Sequence, residues 1–354
     1  MRILVDISHP AHVHLFRHAI HIWQGRGDEV LVTAREKDVT TALLSRYGIE
    51  FETLTRQRKG FFGLGLELVQ RDWRLWRIAR RFRPQFLIGT SPSAAHVSRL
   101  IGGTSLFFND DDRKAVPLVS ALAHPFAHWI CTPDAIQEEY GPKHVKHPSY
   151  HKLAYLHPSR FTPDPRVRAA LGVGEGERYF LLRFVSLEAH HDAQARGLSV
   201  EMKLRLFRLL EQRGRVFVSS ESPLVPPFDA HRLALPPDRF HDVLAFADLV
   251  VCDSQTVACE AAVLGTPSLR CNTFVGRLSY LEELEHRYGL TRGFRPEQAE
   301  GLFRLAEEWG ADANLRAEFT ARRQRMLADK CDLTDWMIRF IDGLARGERP
   351  RRTA

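Results

Sequence analysis

Short apolar runs recur along the chain, each followed by a stretch of helical periodicity. In the first part they fall at residues 3–7, 29–34, 51–54, 86–89, 105–108 and 129–132. Runs this short, bounded by polar or turn-forming residues, are what strands buried on both faces present. The intervening stretches, among them residues 10–24 and 37–47, are amphipathic and are closed by Gly25, Gly27 and Gly48. Strand and helix alternating through short glycine-marked links predict a parallel sheet with helices on both faces. Residues 156–165, LHPSRFTPDP, carry three prolines and read as a linker. A second series then begins: a short helix at 166–171, strands at 179–184, 216–219, 249–252 and 268–271, a helix at 199–212, and a helical tail over 296–344. The expected organisation is an N-terminal α/β domain over 1–157, a second over 158–333, and a closing helix with a basic tail over 334–354.

Composition narrows the class. The 354 residues are 44% hydrophobic and 26% charged, which describes a globular protein of two ordinary domains. No run approaches the ~20 apolar residues of a membrane span. The opening MRILVDIS holds one arginine and an apolar run broken by Asp6, which reads as a first strand rather than a leader. Five cysteines stand at 131, 252, 259, 271 and 331 without CxxC spacing, which argues against a disulfide framework or a zinc site and fits a reducing cytoplasm. The net charge of +7 and a pI near 9.3 leave anionic lipid, nucleic acid and anionic small substrates open. Nucleic acid is the weakest of these, because no helix-turn-helix, RNP or zinc signature accompanies the charge.

The stretch with the most chemistry is ADLVVCDSQTVACEAAVLGTPSLRC, residues 247–271. It reads as strand, tight turn, helix, a Gly265–Pro267 stop, and strand. Asp253 or Ser254 caps a helix whose first turn holds Gln255 and Thr256, and such a start offers N–H groups and a positive dipole end to an anion. Glu260 follows about one and a half turns on, at ~3.6 residues per turn. A phosphate at the helix start with sugar hydroxyls at the carboxylate suits a nucleotide. The alternative is an ordinary βαβ unit with a capped helix.

The pattern D-S-Q-T-x-x-x-E-A-A-x-L-G-T-P resembles the donor-site signature of GT-B glycosyltransferases and of the related UDP-N-acetylglucosamine 2-epimerases. The stretches VDISHPAHVHLF, TSPSAAHVSRL and SYHKLAYLHPSRFTPDP are similar to an uncharacterised bacterial and archaeal domain family placed beside those epimerases. The resemblance implies a GT-B fold: two doubly wound Rossmann-like domains facing a cleft, with the last helix crossing back to the first domain through Trp336, Ile338, Phe340 and Ile341. It makes Ser254, Gln255 and Thr256 donor-phosphate candidates and Glu260 the ribose candidate. Arg183, at the end of the 179–184 strand, is a candidate to neutralise a departing diphosphate, since a guanidinium is a forked and permanent cation. His190 and His191 follow it. Phe240 lies where related folds bind the base.

In the first half, ligands of open α/β sheets gather at the carboxyl ends of strands. The loop after the first strand holds His9, His12 and His14, of which His12 can act as a general base and His9 and His14 can line the acceptor side or merely cap a helix. Thr90 and Ser91 follow the strand at 86–89, where they can hold a sugar or cap the next helix. Asp110 and Asp111, in the run FFNDDDRK, are catalytic candidates; no metal and no cofactor is expected, as GT-B enzymes generally bind their donor without one. An epimerase would be expected to show Gly-Asp where this chain has Gly89-Thr90, and His-x-Glu-Ala-Gly where it has Phe108-Asn109-Asp110-Asp111.

The expected activity is therefore transfer of a sugar from a nucleotide-sugar donor, UDP-linked by the resemblance, to a glycan or lipid-linked acceptor. The alternatives are a UDP-sugar isomerase of the 2-epimerase type and a nucleotide-sugar-binding protein without turnover. Residues 56–83 hold nine Lys or Arg against two acids, with Phe61, Phe62, Trp73 and Trp76 among them. A core stripe of Leu64, Leu68, Leu75, Ala79 and Phe82 leaves both tryptophans and much of the basic charge on the outside. That arrangement suits peripheral contact with an anionic membrane, and hence a protein of the cytoplasm at the inner membrane face, or else a solvated face with tryptophans packed on a neighbour.

Overall fold

The computed structural model describes residues 1–37, 39–56, 60–185 and 197–348. The chain forms two compact units, one of residues 1–160 with 330–354 and the other of residues 161–329.

The first unit runs β1 (Arg2–Ile7), α1 (Pro10–Gly25), β2 (Glu29–Glu36), α2 (Thr40–Arg46), β3 (Glu52–Arg56), α3 (Phe61–Phe82), β4 (Phe86–Gly89), α4 (Pro92–Ile101), β5 (Thr104–Phe108), α5 (Pro117–Ala123), β6 (Trp129–Pro133), β7 (His144–His147) and α6 (Leu153–Leu156). Its seven strands are all parallel, in the order β3-β2-β1-β4-β5-β6-β7. The strand residues of β1, β4 and β6 are almost all buried, which is why they read as unbroken apolar runs. β7, with the sequence HVKH, is an edge strand whose two histidines and lysine hid it from an apolar pattern. β3 begins at Glu52 and extends to Arg56, past the Leu54 at which its apolar residues stop.

The second unit runs α7 (Arg166–Ala170), β8 (Tyr179–Phe184), α8 (Val200–Glu211), β9 (Arg215–Ser220), α9 (Phe240–Phe246), β10 (Leu249–Cys252), α10 (Gln255–Leu264), β11 (Ser268–Cys271), α11 (Ser279–His286), β12 (Arg292–Phe294), α12 (Ala299–Ala311) and α13 (Leu315–Asp329). Its five strands, in the order β12-β11-β10-β8-β9, are parallel throughout. β12 is only three residues long and half-exposed, too short and too polar to stand out in the sequence. Phe180, Leu182, Leu206, Val218, Leu249, Val251 and Leu302 form one apolar core between this sheet and its helices α8 and α12.

The last helix, α14 (Leu333–Ala345), belongs to the first unit, where it packs on α1 and α6. Asp332 caps it by accepting from the Thr334 and Asp335 N–H groups, and the Arg26 guanidinium grips Asp342 through two bonds of 2.7 and 2.8 Å. Trp336 meets the rings of Phe108 and His147, and Phe340 stacks on Trp336 at 4.9 Å.

Both sheets reverse their strand order once. In the first unit the reversal lies between β1 and β4, in the second between β8 and β10. Ligands of doubly wound sheets bind outside the carboxyl ends of the strands at such a reversal. The two sets of candidate residues stand at these two places.

Candidate functional site

In the first unit, β1 ends at Ile7 and α1 starts at Pro10, so Ser8 and His9 make the whole turn. His9 is the N-cap: its Nδ1 accepts from the Ala11 N–H at 3.2 Å, and Pro10 occupies the first helical position. One turn on, the His12 ring turns back to the strand ends. Its Nδ1 lies 2.7 Å from the Thr90 hydroxyl after β4 and 3.2 Å from the Ser8 hydroxyl after β1. Gly89, the last residue of β4, lies close against β1, where a Cβ would stand 3.0 Å from the Asp6 carbonyl oxygen. His9 and His12 have ring centroids 5.6 Å apart. Burial is the main reason that the His9 ring is pushed down to about 3, with Lys37, Lys152 and Arg35 adding to it. Burial, then the charge of His9, holds His12 well below the usual imidazole range. Both rings are therefore neutral at pH 7.

After β5, the Asn109 side chain donates to the Asp111 carbonyl oxygen at 2.6 Å and shapes the acidic turn. Asp110 accepts from the Lys152 ammonium at 2.7 Å and lies 3.4 Å from His151 Nδ1. Burial opposes the charge of Asp110, but His151 and Lys152 outweigh it and hold the carboxyl well below its ordinary range. Asp111 behaves oppositely. Burial, and then the neighbouring Asp110 charge, push it up to about 7. Two adjacent carboxyls are thus separated into a fixed anion and a group that titrates near neutrality, the division of labour an acid–base step uses.

His151 and Lys152, which complete this cluster, were not among the expected site residues. They follow β7 in the SYHKLAY stretch, and only the fold brings them to β5. Ser91 and His14 do not join the cluster. The Ser91 hydroxyl turns inward and donates to Asp6 at 2.6 Å. His14, one helical turn beyond Pro10, is buried against the rings of Tyr47 and Tyr155 at 5.8 and 5.2 Å. Asp6 itself is fully buried and is satisfied by Thr33 at 2.8 Å, by Ser91, and by the Arg71 guanidinium at 2.6 Å. Arg71 also donates to the Ile7 carbonyl oxygen, so it braces the strand end from which the Ser8–His12 loop departs.

In the second unit the turn after β10 is held from both sides. Asp253 accepts from the Val185 N–H at 2.7 Å, which ties the ends of β10 and β8 together across the reversal. Burial pushes the Asp253 carboxyl up to about 6, against the pull of that N–H and of Lys203. The Asn272 side chain donates to the Asp253 carbonyl oxygen at 2.9 Å. Ser254 is the N-cap of α10 and accepts from the Val257 N–H at 3.2 Å. The N–H groups of Gln255 and Thr256, in the first turn, have no carbonyl of their own helix to bond, and both residues are half-exposed. From Val257 onward α10 is buried entirely, and Gly265 ends it at φ 74°, where a Cβ would press within 2.9 Å of the Arg323 side chain. Glu260 is buried in this helix, its Oε1 3.1 Å from His241 Nε2. His241 belongs to α9, whose first residue, Phe240, is half-buried. Arg183, half-buried at the end of β8, donates to the Ser219 hydroxyl at 3.0 Å and to Glu221 at 2.8 Å. His190 and His191 lie outside the described residues. Among the described residues no three His, Cys, Asp or Glu side chains group closely enough to hold a metal ion.

The architecture is that of the GT-B fold, and similarity to solved structures runs over the full chain. It is similar to a putative UDP-N-acetylglucosamine 2-epimerase from Listeria monocytogenes, at 12% identity and a TM-score of 0.71, covering 100% of this chain and 99% of that one. A co-structure of S. aureus MnaA with UDP aligns at 12% identity and a TM-score of 0.69, covering both chains completely. A spinosyn rhamnosyltransferase, SpnG, complexed with spinosyn aglycone, aligns at 16% identity and a TM-score of 0.63, over 97% of this chain and 100% of that one. Residues 1–146 match the model of a domain family described as a protein of unknown function, DUF354. No curated protein matches the sequence.

Proposed function

We propose that the protein is an enzyme of nucleotide-sugar chemistry, and within that class a GT-B glycosyltransferase that moves a sugar from a UDP-sugar to a hydroxyl of a glycan or lipid-linked acceptor. The observation that carries this reading is the start of α10. At the β8–β10 reversal, two half-exposed residues, Gln255 and Thr256, offer N–H groups beneath a capping serine, with a buried glutamate farther along the same helix. A diphosphate suits the N–H groups and the helix dipole. Glu260, positioned by His241, suits the ribose hydroxyls. In the transfer step a base removes the acceptor hydroxyl proton, the oxygen bonds the anomeric carbon, and the bond from that carbon to the diphosphate oxygen breaks. Asp111 is the base best matched to pH 7, with His12 in reserve. Arg183 and the α10 start stabilise the charge that builds on the departing diphosphate.

An isomerase is the second reading, supported by the similarity to the Listeria putative epimerase. Against it stand Thr90, where an epimerase would be expected to carry an aspartate, and Phe108, where it would be expected to carry the histidine of its His-x-Glu-Ala-Gly stretch.

Proton NMR of the protein with a panel of nucleotides and UDP-sugars, without acceptor, tests both. Selective line broadening of uridine species, lost in Glu260→Ala while thermal unfolding stays cooperative, with no change in the sugar, is the expected result. A C2 epimer appearing without acceptor would establish the isomerase instead. Indifference to every nucleotide would overturn the whole reading.

A further inference from the structure

α3 is 22 residues long, about 33 Å at ~1.5 Å per residue, and its two faces do different work. The inner face is fastened to the sheet. Arg71 reaches Asp6 and the Ile7 carbonyl oxygen, Glu67 takes two bonds from Arg35 at 2.5 and 2.6 Å, and Leu75 and Ala79 join the apolar core with Leu4, Leu54 and Leu87. Trp76, which the sequence pattern puts outside, packs against that core.

The outer face is apolar where a soluble helix would be polar. Leu66, Val69 and Trp73 are exposed to 62%, 69% and 53%, and their spacing of three and four places them on one side of the helix. Phe62, a turn earlier on that side, is 87% exposed. The same side then becomes basic: Arg77 and Arg80 continue the spacing, with exposed Arg81 and Arg83 nearby, while Arg74 donates to the Leu54 carbonyl oxygen. The Arg77 guanidinium sits 4.8 Å over the Trp73 ring and that of Arg80 5.5 Å over the Trp76 ring, the aromatic–cation pairing suited to a boundary between oil and water. The acids of this helix are turned elsewhere. Glu67 is buried, and Asp72 is held by His96 at 2.7 Å. Among the described residues no helix is long and apolar enough to cross a membrane.

We propose that the outer face of α3 lies flat on an anionic lipid bilayer, with Leu66, Val69 and Trp73 in the acyl boundary and Arg77, Arg80 and their neighbours on the lipid phosphates. Anionic lipid is the occupant that both halves of the face fit. A purely apolar partner leaves the arginines without counter-charge, and a nucleic acid leaves the leucine and valine in contact with phosphate. The lipid contact itself needs no nucleotide chemistry and stands or falls apart from the proposed reaction.

Sedimentation with vesicles of phosphatidylcholine alone, and of phosphatidylcholine mixed with phosphatidylglycerol, tests it on the full chain. The protein should pellet with the mixed vesicles only, and less as salt is raised. The paired substitutions Leu66→Ser with Val69→Ser, and separately Arg77→Gln with Arg80→Gln, should each weaken binding about tenfold or more. All four positions are exposed, so unchanged thermal unfolding separates lost docking from lost fold. Failure to pellet with the mixed vesicles would overturn the proposal, as would binding that survives both pairs. A dimer in sedimentation equilibrium that Leu66→Ser with Val69→Ser dissociates would assign the face to a second copy of the chain instead.

Discussion

The two units solve the same architectural problem with opposite use of charge. At the reversal of the second sheet, the candidate residues other than Arg183 and Phe240 fall within Asp253 to Glu260, in one turn and the short helix after it, which is otherwise apolar and buried. Its polar groups bond mostly to backbone: Asp253 to the Val185 N–H, Ser254 to the Val257 N–H. At the reversal of the first sheet, side chains from four strand ends converge on one another: His12, Thr90, Asp110, His151 and Lys152. Backbone-held groups present a fixed cradle, which suits binding. Mutually coupled side chains shift one another's protonation, which suits proton transfer.

That contrast can be broken most sharply at Asp111. If the first site moves the acceptor proton, Asp111→Asn should lower the transfer rate by about 10²–10⁴-fold with little change in donor affinity. Because burial and Asp110 raise this carboxyl to about 7, the wild-type rate should climb as pH rises through neutrality and the base loses its proton. A pH–rate profile unchanged in the variant would remove Asp111 from the reaction.

Structural charge tests the contrast next. Arg71→Leu leaves Asp6 buried without its cation, and should cost about 3–5 kcal/mol of stability in denaturant unfolding. The matching change in the second unit, Arg183→Leu, breaks a half-exposed pair with Glu221 and should cost no more than about 1 kcal/mol. Equal losses would refute the difference drawn between the units.

A pH-dependent effect, smaller than the loss at Arg71, belongs to Asp253. Its folded value of about 6 lies above the ordinary carboxyl value, so the folded state prefers the protonated form. The stability this preference confers is complete below the unfolded value and is lost as pH rises through about 6. Asp253→Asn removes the titration, so thermal unfolding of variant and wild type should converge in acid. The variant should gain on the order of 2–3 kcal/mol relative to wild type by pH 8, at about 1.4 kcal/mol per pKa unit. A constant offset across pH would show that Asp253 does not titrate in this range.

The second-unit site could be read from the sequence because it is local. A strand, a cap, a helix and a glycine stop leave consecutive marks, and Ser254, Glu260 and Gly265 each stand where the pattern puts them. What the pattern missed there is one long-range partner, His241, reached through the packing of α9 on α10. The first-unit site was legible only in pieces. Thr90 and Asp110 sit just past strand ends and His12 in the first turn of the helix after β1, places that alternation of strand and helix locates. That His14 faces the core while His12 faces the strand ends depends on the rotation of α1, and two residues of helix reverse a side chain's direction.

The sequence by itself determined the two parallel sheets, the helix start at Ser254, and the amphipathic character of α3, because each rests on periodicity and capping within a short span. Only the tertiary structure decided that Asp110 is paired with the Lys152 ammonium beside His151, that Asp111 is left to titrate near neutrality, that Ser91 serves Asp6, and that Trp76 is packed while Trp73 is exposed. Those outcomes depend on which distant side chains share a low-dielectric space. Burial and charge act through distance in space, and a strand order of β1-β4-β5 sets those distances where chain order cannot.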